Sequence, residues 1–115
     1  MRIVKKIYTA LLIMFFLFSA GAVFAQSPIE IIARKSHYTP ETIHVKKGEK
    51  VRLVVRSEDV THGFAIDEFG IAREIPLGPP VVIEFTPDRA GSFSYYCVVR
   101  CGREHKQMRG TLIVE

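Results

Sequence analysis

Little in this sequence points to catalysis. No serine, histidine and aspartate set, no paired carboxylates and no phosphate-cradling glycine loop stands out, so an independent enzymatic activity has no support. Internal repeats, low-complexity tracts and long linkers are also lacking, which leaves a single domain after the N-terminal segment. Beyond that segment there is hardly any helical periodicity. Only two cysteines occur, so the chain can hold one disulfide at most.

Excess charge is scarce as well. The formal net charge of +4 includes Arg2, Lys5 and Lys6 at the very start, and without them thirteen basic side chains face twelve acidic ones. A nearly neutral domain gives no reason to expect nucleic-acid binding.

What is present begins with "MRIVKK", followed by an uncharged apolar run from Ile7 to Phe24 and by "AVFAQS". Basic residues, an apolar stretch and small residues ahead of a cut after Ala25 describe an export signal. The run is also just long enough for one spanning helix, so residues 1–25 read as a signal peptide or a single membrane anchor. Either way the positive end stays inside, and residues 26–115 lie outside the cytoplasmic membrane, periplasmic or on its outer face.

From Ile29 the chain alternates short apolar runs with turn compositions. "IEIIA", "TIHV", "VRLVV", "GFAI", "VVIEF", "FSYYC" and "TLIV" are rich in residues that suit a half-buried pleated surface. "KKGEK", "EDVTHG", "PLGPP" and "TPDRAGS" between them supply glycine, proline, aspartate and serine for turns. This predicts an all-β fold, a small antiparallel sandwich. In "VRLVVRS" alternation puts Val51, Leu53 and Val55 on the buried face, with Arg52, Val54 and Arg56 on the other.

Both cysteines lie in "YYCVVRCGREHKQMRG". In an exported protein a disulfide is the starting expectation. Cys97 and Cys101 are four positions apart, however, which spans about 13 Å when extended, whereas a bridge needs Cα atoms within about 7 Å. So short a loop would also stabilise the fold weakly. A metal reading uses more of the residues, because Cys97, Cys101, His105 and Met108 follow C-x3-C-x3-H-x2-M and could turn four donors toward one point. Thiolate with thioether favours copper over zinc.

Such a site calls for a further histidine from a distant loop. His37, in a polar turn, and His44, in an alternating strand, read as solvated or half-buried side chains. His62 stands apart. It precedes a glycine that lets backbone come close, at the start of an apolar strand.

"SEDVTHGFAI" followed by "CVVRCGREHKQMRGTLIVE" closely resembles the dinuclear copper (CuA) domain of cytochrome c oxidase subunit II, and "GIAREIPLGPP" looks like the segment between its ligand regions. The CuA domain of nitrous-oxide reductase is similar. The resemblance spans Ile29 to Glu115 and implies a cupredoxin-like Greek-key β-sandwich. It further implies two copper ions bridged by Cys97 and Cys101, with His62 on one ion and His105 on the other. Met108 and the carbonyl of Val99 would be weak ligands. Single electrons would then pass between the centre and a redox partner protein, such as a c-type cytochrome or an oxidase catalytic subunit, and the membrane would be met only through the N-terminal anchor. One departure is Val99, where subunit II often carries a metal-binding glutamate at the interface with the catalytic subunit.

Alternatives stay open at this stage. A mononuclear copper cupredoxin would use His62, Cys101, His105 and Met108, a periplasmic copper carrier or assembly factor would hand Cu(I) on, and a disulfide-bonded sandwich would hold no metal. Phe64, Phe93, Tyr95 and Tyr96 flank the presumed site and read first as core packing. Gly102 and Gly110 read as turn glycines of the ligand loop. Arg100, Arg103, Lys106 and Arg109 crowd the same loop against one acid, Glu104, and read either as a solvated face or as a ring that steers an acidic partner.

Overall fold

A computed structural model describes residues 27–115; the segment read as a signal or anchor lies outside these residues. Among the described residues nine strands form two sheets. β1 (Ile29–Arg34), β2 (His37–Thr39), β4 (Val51–Ser57) and β7 (Val81–Phe85) make one, in the order β2-β1-β4-β7. β3 (Thr42–Val45), β5 (His62–Ile66), β6 (Ile71–Ile75), β8 (Gly91–Tyr96) and β9 (Arg109–Val114) make the other, in the order β3-β9-β8-β5-β6.

Alternation decides which residues fill the space between the sheets. β4 buries Val51, Leu53 and Val55 completely while Arg52 is exposed and Val54 and Arg56 are partly covered, as its pattern requires. Opposite them lie Phe64, Ile66, Ile75, Leu112 and Val114, all buried. Tyr38, Phe64 and Tyr95 pack ring on ring at this core's site end, with centroids 5.1 to 5.8 Å apart. Core packing is therefore the main role of Phe64 and Tyr95.

The sandwich is mixed rather than purely antiparallel. β1 runs parallel to β4, and β3 parallel to β9, because the chain crosses to the second sheet in β3 before returning as β4. Strand direction depends on these crossings, which local alternation does not encode. Two short strands also lie outside the runs read as strands, one of them where a polar turn was expected. β2 falls in "KSHYT", and β6 falls inside "GIAREIPLGPP", where it pairs along the whole of β5. Both are edge strands, so only one residue of each is fully covered and their apolar signal is thin.

Gly110 is not a turn residue. It sits in β9 opposite Tyr95, and a Cβ there would fall 2.0 Å from the Tyr95 ring, so its missing side chain makes room for the aromatic. Gly102 does occupy the turn conformation expected of it, with φ 149°.

Candidate metal centre

The period of β5 places His62 on the same face as Phe64 and Ile66, at the strand's first position. Its ring is therefore driven into the end of the core, and it is fully buried. Nε2 meets the Asp59 carboxylate at 2.6 Å. Nδ1 has no hydrogen-bond partner among the described residues. A buried, unpaired ring nitrogen is costly unless something else binds it.

Both sulfurs lie beside that ring. One nitrogen of His62 and the Sγ atoms of Cys97 and Cys101 all fall within 4.8 Å of one another. The two sulfurs are 3.4 Å apart and the cysteines are free thiols. The strand ladder explains where Cys97 sits, because its N–H donates to the Met108 carbonyl at 3.3 Å and so extends the β8–β9 pairing by one residue. Past Cys97 the chain leaves the sheet, and a single 3-10 turn over His105–Gln107 brings it back.

That loop collects the remaining donors. Cys101 Sγ is 3.6 Å from His105 Nδ1 and 3.5 Å from Met108 Sδ, while Cys97 Sγ is 2.8 Å from the Val99 carbonyl oxygen. His62, Cys97 and Cys101 thus form the mutually close group, and His105, Met108 and the Val99 carbonyl each lie beside one of its two sulfurs. His37 and His44 stay outside, exposed and paired with Glu104 and Glu115. His105 is half-buried where His62 is sealed, so the cluster has a closed end and an edge that reaches the surface.

Several positioning residues carry no strong sequence signal. Gly63 lies under the loop, where a Cβ would come within 2.5 Å of the Val98 backbone nitrogen. Its N–H donates to Cys97 Sγ at 3.1 Å, and its carbonyl accepts the buried Tyr38 hydroxyl at 2.6 Å. Ser36, in the β1–β2 turn, places its hydroxyl 3.7 Å from Cys101 Sγ. Asp59 also accepts from the Lys35 N–H at 2.7 Å, tying that turn to the histidine. Gly63 was legible as the glycine beside His62, and Asp59 could have been found in the sequence three residues ahead of that histidine. Ser36 is 65 positions from Cys101, and nothing local connects them.

Electrostatics separate the groups by role. Desolvation pushes the Asp59 carboxyl up, but hydrogen bonds from the Lys35 N–H, His62 and the Val60 N–H outweigh it and hold the group at about 2. Burial raises the Cys101 thiol, and Cys97 raises it further while Ser36 opposes. Thiol protons therefore have to leave when a metal is bound. The donor set is two sulfurs suited to bridging, two imidazoles, a thioether and a carbonyl, which is chemistry that fits copper.

Comparison with known proteins agrees with this architecture. The family model for the cupredoxin-like domain matches residues 7–114. Cytochrome c oxidase subunit 2 of Thermus thermophilus is 30% identical over 90 residues, covering 78% of this chain and 67% of the relative. Nitrous-oxide reductase of Ralstonia nicotianae is 31% identical over 91 residues, 76% of this chain but only 14% of that protein. The solved periplasmic domain of subunit II of cytochrome oxidase from Bradyrhizobium japonicum shares the fold, with a TM-score of 0.72, 19% identity and coverage of 81% and 86%. The chain belongs to the cupredoxin-like domain family and, within it, resembles the CuA domain of cytochrome c oxidase subunit II.

Proposed function

We propose that this chain is an exported electron-transfer protein whose loop and β5 hold two copper ions in a CuA-type centre. The observation that carries the reading is the buried Nδ1 of His62, left without a partner beside two free thiols while Nε2 is fixed by Asp59. A carboxylate on the far nitrogen orients a ligating imidazole and raises its basicity. Cys97, Cys101, His62 and His105 would hold the copper, with Met108 and the Val99 carbonyl as weaker donors. Bound copper supplies a one-electron couple shared over two metals.

The protein's part is to hold the donors still. Cys97 is fixed by the β8–β9 ladder and by the Gly63 N–H, and Met108 is fully buried at the head of β9. Donors anchored on a sandwich need little rearrangement when charge changes, which favours rapid exchange. The half-buried His105 edge is the route for electrons to and from a redox partner such as a c-type cytochrome or an oxidase catalytic subunit. Export follows from the N-terminal pattern, and the solved subunit II relative is a periplasmic domain.

The test is copper content with optical and spin-resonance spectra of the full chain after copper loading. Two coppers per chain, a purple colour and hyperfine structure from one unpaired electron on two equivalent nuclei are expected. One copper with a blue-site signal would replace the reading with a mononuclear cupredoxin. Colourless Cu(I) passed to an apo-acceptor would replace it with a copper carrier.

A further inference from the structure

Five cations surround the exposed edge of the donor cluster, and they come from two separate parts of the chain. Arg100, Arg103 and Lys106 line one shallow depression with His105. Lys106 and Arg109 line a second with Cys97, His105 and Met108. Lys35, from the β1–β2 turn, faces Arg103 across a third that has Cys101 in its wall. All five side chains are exposed.

No carboxylate of the described residues neutralises them, although the Arg109 guanidinium rests over the Tyr96 ring, 5.7 Å from its centroid. Among the described residues no ion pair involves Lys35, Arg100, Arg103, Lys106 or Arg109, and the loop's one acid, Glu104, faces His37 at 3.5 Å. Five of the other eight basic side chains, Arg34, Lys50, Arg52, Arg56 and Arg89, are each paired with a carboxylate, as in Arg34 with Glu58 and Lys50 with Glu84. From residue 26 on, setting aside these five cations and Glu104 leaves eight basic residues against eleven acidic ones. The domain is therefore polarised, positive around the donor cluster and negative elsewhere. Val98, 43% exposed in the same loop, adds an apolar contact next to the cations.

We propose that this basic edge is the docking surface for an acidic redox protein, which it orients with its own redox group toward His105. The proposal rests on the electron-transfer reading above for its purpose, but the surface itself is a property of the polypeptide. Unpaired cations clustered on one edge of an otherwise acidic domain attract and orient an acidic partner, and the attraction is screened by salt. Lys35 matters because it comes from a separate part of the chain, the β1–β2 turn, and extends the positive edge beyond the ligand loop at the depression it shares with Arg103.

The experiment uses the full chain, with and without copper, and two probes that differ only in charge: a lysine-rich cytochrome c and the same cytochrome with its lysines succinylated. Binding is followed by amide chemical-shift mapping and by surface plasmon resonance at low and near-physiological ionic strength. The succinylated probe is expected to shift residues 98–109 and Lys35, to bind at least about tenfold more weakly at the higher salt, and to be preferred over the native probe. Reversing Arg100, Arg103 and Lys106 to glutamate should invert that preference, whereas Lys46→Glu with Lys47→Glu, in the β3–β4 turn, should preserve it. If the triple variant unfolds, Arg103→Gln with Lys106→Gln should still weaken binding several-fold. Shifts that map elsewhere, salt-independent binding, an unchanged preference in the folded variants, or binding only to anionic vesicles would overturn the proposal. Because the apo chain is measured too, failure to load copper would count against the metal reading alone.

Discussion

The carboxylate of Asp59 and the imidazole of His62 meet at 2.6 Å, and that contact fixes which ring nitrogen is left to face the sulfurs. With Nε2 engaged, only Nδ1 remains, and it has no other partner. Replacing Asp59 by alanine should leave the sandwich folded and lower copper affinity by about 10- to 100-fold, the usual cost of losing such an outer partner. Competition titration with a copper chelator reads this directly; an unchanged affinity would show that the contact does not support a ligand.

The sulfur donors should separate in their effects. Cys97→Ser removes a sulfur buried at the centre of the cluster and should abolish the two-copper spectrum. Met108→Leu conserves volume at a fully buried site, so stability should fall by less than about 1.5 kcal/mol, with copper retained and its potential shifted. Electrochemistry of the Met108 variant and metal analysis of the Cys97 variant check both. Full copper content in Cys97→Ser would remove Cys97 from the site.

Gly63 is expected to tolerate no side chain. An alanine Cβ would lie 2.5 Å from the backbone nitrogen of Val98, and backbone cannot rotate away as a side chain can. Gly63→Ala should cost about 1 to 3 kcal/mol and displace the loop carrying Val99. Thermal unfolding together with copper loading measures the two consequences.

Tyr38 joins the sheets through its hydroxyl, which donates to the buried Gly63 carbonyl at 2.6 Å. Tyr38→Phe keeps the ring contacts with Phe64 and Tyr95 but leaves that carbonyl unpaired, at a cost of about 1 to 3 kcal/mol. Denaturant unfolding of the two proteins gives the difference.

Acid should destabilise the metal-free protein in a defined window. The Asp59 carboxyl is lowered from 3.8 in the unfolded chain to about 2 in the folded one, so its contribution is fully present above the unfolded value. It is lost as pH falls from about 4 through 2, because the unfolded chain then binds the proton more readily. Asp59→Asn should flatten unfolding curves across that interval and leave the neutral-pH slope unchanged.

The chemistry of this protein was written in short segments of its sequence. The seven main runs became strands because alternation is a local property, and the donors of the C-x3-C-x3-H-x2-M stretch converge because one short loop carries them all. His62 was legible from its glycine and its place at a strand start. Tertiary structure alone decided what surrounds them. Parallel pairing of β1 with β4 depends on a crossing between sheets, so alternation could not show it, and the edge strands β2 and β6 expose too many residues to carry an apolar pattern. Ser36 beside Cys101 and Tyr38 under Gly63 are contacts across 25 or more positions, and Lys35 shares a depression with Arg103; these arrangements exist only because two sheets pack face to face and bring their ends together.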